Sequence, residues 1–273
     1  MTMQLFDSHA HIQDDAFRGE ARSVVERARR AGVIGILACG YDAPSNLDSL
    51  SLAAEYDIVY PAVGFHPHEA STVTPDMLAV LEEQALREDV LAVGEIGLDF
   101  YRDHSPHDVQ RVVLDAQLEL AARVGKPVSV HTRGAEDAIK DHLLAYAARS
   151  PLRAAGRPVG VLHCFGGTVE QAMPMVEAGF LVSLACAVTY PRNDETRRMA
   201  AELPLDVLLV ETDSPYLPPQ RMRGKRNEPS LVGSAVEAIA GLRKMSTLRV
   251  AETTTANALR LLAIPIPEPA VPA

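Results

Sequence analysis

Short apolar runs alternate with longer stretches in which apolar residues recur every three or four positions, and the rhythm persists along nearly the whole chain. Runs without a polar break read as strands buried on both faces, hence parallel. Stretches with the three-to-four spacing read as helices with one buried stripe. The first strand ends in Phe6-Asp7-Ser8-His9-Ala10-His11, and later strands are expected over 33–38, 58–63, 90–93, 127–130, 159–162, 180–184 and 207–210. Helices are expected over 14–31, 44–56, 75–88, 106–124, 135–149, 168–178, 192–202, 230–244 and 247–262. This alternation predicts a single α/β domain over 1–263, a (β/α)8 TIM barrel, in which an active site is expected at the carboxyl ends of the strands. A doubly wound open sheet is the alternative. It is disfavoured because no glycine-rich dinucleotide loop and no break in composition appears. The Pro-rich stretch 264–273 is expected to be a frayed tail.

Composition narrows the class without naming a chemistry. The 273 residues are 47% hydrophobic and 23% charged, as in an ordinary soluble protein with a sizeable core. A formal net charge of -10 argues against a general nucleic-acid coat, which would be basic. It leaves room for a nucleic-acid enzyme, because bound divalent cations reverse the sign of an acidic site. Three cysteines, Cys39, Cys164 and Cys186, with no Cys-x-x-Cys, suggest a reduced protein without a disulfide framework. With no leader-like segment and no apolar run long enough for a bilayer, a cytoplasmic protein is expected, as is a monomer.

The strand ends carry the chemistry. Residues two apart in a strand share a face, so His9 and His11 are expected side by side with Asp7 in the same row. Two imidazoles do not hold a metal unaided, and the plain alternative is a pair of half-exposed strand-end histidines. Strand three, however, ends in Gly64-Phe65-His66-Pro67-His68, and strand four in Gly94-Glu95-Ile96-Gly97-Leu98-Asp99. Strand five ends in His131-Thr132-Arg133, strand six in His163-Cys164-Phe165, and strand eight in Glu211-Thr212-Asp213-Ser214-Pro215. Of nine histidines only His107 and His142 fall within helices; the other seven stand at or just past a strand top. In a barrel those tops converge. The ligand set suits two divalent metal ions bridged by Glu95: His9, His11, Glu95 and Asp213 for one, and Glu95, His131 and His163 for the other. Glu95 and Asp213 are the expected catalytic carboxylates, Asp213 as the group that orients or deprotonates a water. Asp7 and Glu211 are expected to orient imidazoles from behind, with plain salt bridging as the alternative. Imidazole plus carboxylate admits zinc, manganese or magnesium.

A basic rim accompanies these residues. Arg102 follows strand four, Arg133 follows strand five, and the run Arg221-Met222-Arg223-Gly224-Lys225-Arg226 follows strand eight. Guanidinium forks suit phosphate, though the run reads equally as a solvated loop. Asn227-Glu228-Pro229 precedes the next helix, whose N-terminus favours an anion. His68, Arg102, Arg133 and Asn227 are therefore expected substrate contacts.

The chain resembles the TatD family of metal-dependent deoxyribonucleases. The resemblance is carried by Asp7-Ser8-His9-Ala10-His11, Val63-Gly64-Phe65-His66-Pro67 and Val93-Gly94-Glu95-Ile96-Gly97-Leu98-Asp99. It continues in Val130-His131-Thr132-Arg133, Leu162-His163-Cys164-Phe165-Gly166-Gly167, Val210-Glu211-Thr212-Asp213-Ser214-Pro215-Tyr216-Leu217 and Arg226-Asn227-Glu228-Pro229. It implies a TIM barrel, metal roles for His9, His11, Glu95, His131, His163 and Asp213, and hydrolysis of phosphodiester bonds in DNA. Exonuclease action on a single-stranded or 3′-ended substrate, tied to DNA repair or degradation, is what such a family implies. His66 looks like a residue for the substrate phosphate or for an extra metal. Gln13 and Gly134 stand where the family often has Asp, and Cys186 where glycine is common. These departures bear on the substrate rim, not on the ligands.

Two other readings compete. A metal-dependent amidohydrolase or aminoacyl-tRNA deacylase on the same barrel would polarise a carbonyl instead of a phosphoryl group. Many such amidohydrolases bridge their metals with a modified lysine, and Glu95 at the bridging position favours the nuclease. A non-catalytic barrel is disfavoured by the intact ligand set.

Overall fold

The computed structural model describes residues 3–265. In chain order the elements are β1 (Leu5–Ala10), α1 (Ala21–Arg30), β2 (Val33–Cys39), α2 (Ala43–Glu55), β3 (Val59–Val63) and α3 (Pro75–Ala85). Next come β4 (Ala92–Asp99), α4 (His107–Val124), β5 (Val128–Arg133), α5 (Glu136–Arg149), α6 (Pro151–Ala154) and β6 (Gly160–Leu162). The chain continues through α7 (Val169–Glu177), β7 (Phe180–Ala185), α8 (Asp194–Glu202), β8 (Leu208–Glu211), α9 (Gly233–Arg243) and α10 (Thr247–Leu262). The eight strands pair in parallel in sequence order, so the barrel expected from the apolar rhythm is the observed fold.

Two apolar clusters hold it together. The larger lies between the strands and the surrounding helices. The smaller joins Phe6, Leu37, Cys39, Ala62, Val161, Leu181 and Leu209 to Ala258, Leu259, Leu261 and Leu262, so the end of α10 plugs the barrel away from the strand tops. Each fully buried leucine contributes roughly 1.5–3 kcal/mol, and the plug leaves the opposite end of the barrel to polar chemistry.

Closure between β1 and β8 is made near the tops. Ala10 bridges Ser214, the His11 N–H donates to Ser214 O at 2.8 Å, and the Asp213 N–H donates to His9 O at 3.0 Å. The Asp7 carboxylate accepts from the Thr212 N–H at 2.8 Å and its hydroxyl at 2.6 Å. Ser8 Oγ lies 2.7 Å from Ser183 Oγ and donates to Val210 O at 3.0 Å. The seam of the barrel is thus the segment that carries His9, His11 and Asp213.

Some boundaries differ from expectation. The helix expected over 14–31 is broken: a 3-10 turn over Asp15–Phe17 precedes α1, separated by Gly19 at φ +76°. The strand expected over 90–93 runs on to Asp99, because β4 continues pairing with β5 through Gly97. The tail lies outside the described residues from 266 onward. Among the described residues no helix is long and apolar enough to cross a membrane.

Candidate active site

The six expected ligands converge. Glu95 is 3% exposed and stands at the centre. Its Oε2 lies 3.4 Å from both His9 Nε2 and His11 Nε2. Its Oε1 lies 3.0 Å from His131 Nδ1 and 3.5 Å from His163 Nε2 and His66 Nε2. Asp213 Oδ1 is 3.8 Å from His11 Nε2 and 3.9 Å from His163 Nε2. Three groups have donor atoms close enough to share an ion: His9 with His11 and Asp213, His9 with Glu95 and His163, and His66 with Glu95 and His131. Their partition differs from the expected one, because His163 stacks on His9 at 3.5 Å between ring centres and sits 6.2 Å from His131.

Irregular pairing aims these side chains. The β1–β2 register shifts between Asp7 and Ala10, and the β4–β5 register shifts between Val93 and Ile96. Such slips bend a strand and re-aim a residue. Simple alternation therefore does not govern the Asp7-to-His11 motif. Asp7 is the consequence: expected behind an imidazole, it instead receives Thr212 at the barrel seam. Burial pushes its carboxyl up to about 8 against those hydrogen bonds. Glu211 does stand behind an imidazole, its Oε1 lying 2.8 Å from His163 Nδ1.

The outward nitrogens decide which lone pairs face the centre. His11 Nδ1 meets the Cys39 carbonyl at 2.9 Å. His131 Nε2 meets Asp99 Oδ2 at 3.3 Å, and His163 Nδ1 meets Glu211. Each of those outer nitrogens faces an oxygen acceptor that can keep the ring proton there, which would leave the inner nitrogen free to bind a cation placed beside Glu95. His9 Nδ1 lies 3.1 Å from Ser129 Oγ, and its Nε2 is 3.2 Å from that of His11. A shared focus of imidazole lone pairs and a buried carboxylate fits a divalent cation. His66 is the opposite case: its Nδ1 accepts from the His68 N–H at 3.1 Å, so its Nε2 holds the proton and points it inward.

Electrostatics follow from this packing. Burial alone would neutralise Glu95, but His66, His9, His11 and His131 hold its carboxyl well below the usual range. Burial would also lower His163, yet Glu211 outweighs it and pushes the imidazole up to about 10. Burial and His163 bring His9 down to about 4. Asp213 is pushed by burial up to about 6, against the pull of His163 and His11.

Asp99 was not singled out from the sequence as a site residue. It is 1% exposed and accepts from His68 Nε2 at 2.8 Å, from His131, and from the backbone N–H groups of Tyr101 and Arg102 at 2.9 and 2.8 Å. One carboxylate thereby orients two imidazoles and the rim loop. Its place two and four residues after Gly97 and Glu95 on one strand was the available signal. Gln13 donates to Cys39 O at 2.6 Å, bracing the carbonyl that receives His11.

The rim departs from expectation in part. His68 is tied to Asp99 at the edge of the cluster. Arg133 and Arg102 are exposed beside Tyr101. Asn227 is fully buried, donates to the Thr212 and Leu217 carbonyls and accepts from Glu228, so it fastens the loop and does not face a substrate. Arg226 is bound to Glu20 and the Ala16 carbonyl, and Arg221 reaches Ser234. Much of the basic run is therefore structural.

The chain is similar to known proteins along nearly its whole length. A family model described as TatD related DNase matches residues 6–263. The chain is 38% identical over 260 residues to a metal-dependent hydrolase of Bacillus subtilis, YabD, covering 95% of this chain and 99% of that protein. It is 34% identical over 266 residues to the 3′-5′ ssDNA/RNA exonuclease TatD of Pantoea ananatis, covering 95% and 100%. The crystal structure of YjjV, a TatD homolog from Escherichia coli, superposes with a TM-score of 0.88 at 32% identity, over 97% of this chain and 100% of that one.

Proposed function

Because the chain belongs to the family of TatD-related DNases, we propose that it is a divalent-metal-dependent hydrolase of DNA phosphodiester bonds, acting as an exonuclease on single-stranded 3′ ends. The observation that carries this reading is the ring of His9, His11, His131, His163 and Asp213 around Glu95, with one nitrogen of each imidazole turned inward. The relatives named as 3′-5′ ssDNA/RNA exonucleases support the substrate and the end.

Two divalent ions, magnesium, manganese or zinc, are the proposed cofactors. His9, His11, Glu95, His131, His163 and Asp213 are the residues that would hold them. Bound there, such ions withdraw charge from the phosphoryl group and acidify a water. The protein supplies the rest. Asp213 is the most accessible carboxylate of the cluster, at 14% side-chain exposure against 4% for Glu95, so its Oδ atoms are the place where a proton from the attacking water is taken up. His66 presents its Nε2–H to a phosphoryl oxygen. Glu211 and Asp99 hold the rings of His163 and His131 in register. Arg102 and Arg133 bind the flanking phosphates.

The deciding assay uses chelated protein on end-labelled single- and double-stranded DNA, beside an amide and an aminoacyl-tRNA. Stepwise shortening of the single strand, restored only by added divalent cation, is expected. Undiminished activity after chelation, or turnover of the amide or aminoacyl ester alone, would overturn the nuclease reading.

A further inference from the structure

Two unlike clusters of side chains flank the site. On the β4–β5 side, Tyr101 is 67% exposed. The guanidinium carbon of Arg133 lies 4.2 Å from its ring centre and that of Arg102 lies 6.0 Å away. Neither arginine pairs with a carboxylate among the described residues. On the β1–β8 side, Tyr41 and Tyr216 meet His11 edge to face at 5.5 and 6.3 Å, and Tyr216 is 55% exposed. Asp14 accepts from the Tyr216 hydroxyl at 3.5 Å, and Asp42 caps α2 beside Tyr41. Neither carboxylate pairs with a cation among the described residues; Arg18 and Arg226 on that side are committed to Asp15 and Glu20, Arg223 lies over the Tyr190 ring and Arg221 reaches Ser234, while Lys225 farther along the loop is exposed.

A chain of contacts joins the two clusters through the centre: Tyr216 and Tyr41, His11, Glu95, His131, Asp99, then Tyr101 with its arginines. Resting on the nuclease reading above, we infer that the strand crosses the site with its phosphates over Arg102 and Arg133 and its last nucleoside against Tyr216 and Tyr41, and that this end must be a free hydroxyl and not a phosphate. Internal phosphodiesters suit the arginine side, where aromatic and guanidinium faces accept base and backbone together. The acidic side suits only the one part of the strand that no phosphate follows. A terminal monoester, carrying roughly −1.5 to −2 charges, would stand against Asp14 and Asp42. Selection of the end group thus comes from repulsion as well as from stacking.

The test uses the full chain loaded with the divalent cation that supports hydrolysis, on 5′-labelled single strands ending in 3′-hydroxyl or 3′-phosphate. The hydroxyl end is expected to be shortened at least about tenfold faster in kcat/KM, since like charges brought together cost affinity steeply. The double variant Asp14→Asn with Asp42→Asn keeps both caps, because asparagine accepts the same backbone hydrogen bonds, and should narrow the ratio to about threefold or less. Tyr216→Ala should lower kcat/KM on the hydroxyl end by about tenfold, with Tyr216→Phe restoring most of it, as base stacking requires. Equal rates on the two ends, or a ratio unmoved in a folded double variant, would overturn the inference alone. Cleavage of neither strand would remove the nuclease reading and this inference with it.

Discussion

The outer ring nitrogens separate His66 from His11, His131 and His163: in His66 that nitrogen accepts a backbone N–H, whereas in the other three it faces an oxygen acceptor. A neutral His66 ring whose outer nitrogen accepts has its proton on the inner nitrogen, which suits the donor role proposed for it. His66→Ala is therefore expected to reduce kcat/KM by about 10- to 100-fold while leaving divalent-ion stoichiometry unchanged in calorimetry. Loss of an ion would make His66 a ligand. Glu95→Ala and Asp213→Ala are expected to abolish hydrolysis with circular dichroism unchanged, since each removes a group from a polar cluster and not from the apolar core. Unfolding of either variant would mean the site is structural. Asp99 shows why part of this chemistry was illegible in the sequence. A ligand announces itself by residue type at a strand top, but a carboxylate that serves His68 and His131 at once is defined by two other strands.

Among the elements, β4 and β5 set the geometry of the centre. Gly97 stands at φ +151°, and a Cβ there would run into the His131 carbonyl across the ladder. Gly97→Ala is expected to cost about 2 kcal/mol or more, a fall in Tm of roughly 4–8 °C for a domain of this size. Activity should fall further than stability implies, because the displaced strand carries His131; an unchanged Tm would show that the ladder can yield. From β5, Arg133→Ala is expected to raise KM for DNA by about tenfold with ion affinity unaltered, and an unchanged KM would remove Arg133 from the substrate path. The strand order was legible because buried parallel strands read as uninterrupted apolar runs. The end of β4 was not, since glycine and polar residues end the run at Val93 while backbone pairing continues to Asp99. Register slips were equally hidden, because a slip is fixed by the neighbouring strand. The loop after β8 misled for a related reason: the partners of Asn227 and Arg226 come from distant backbone.

At the scale of the whole molecule, the seam between β8 and β1 is the place where the barrel depends on side chains. The loop that leaves Asp213 returns to the first helix, where Arg27 on α1 makes three hydrogen bonds to the Glu228 carboxylate at 2.7 to 3.0 Å, and Ser230 adds another at 2.6 Å. This clamp joins the last unit of the barrel to the first and holds the segment bearing Asp213. Burial alone would raise the Glu228 carboxyl, but the hydrogen bonds from Arg27 and Ser230 outweigh it and hold it below its ordinary value. A carboxylate depressed in the folded state stabilises above its unfolded pKa, about 4.3, and loses that contribution as the pH falls through the lower folded value. Glu228→Gln keeps the shape and removes the charge. It is expected to destabilise by about 1 kcal/mol at pH 7, or roughly 2–4 °C in Tm. Because glutamine does not titrate, the gap between wild type and variant should close as the pH drops below about 4. Thermal melts of both proteins from pH 3 to pH 8 decide the matter: a gap that stays constant across that range would show that the charge on Glu228 does not hold the seam.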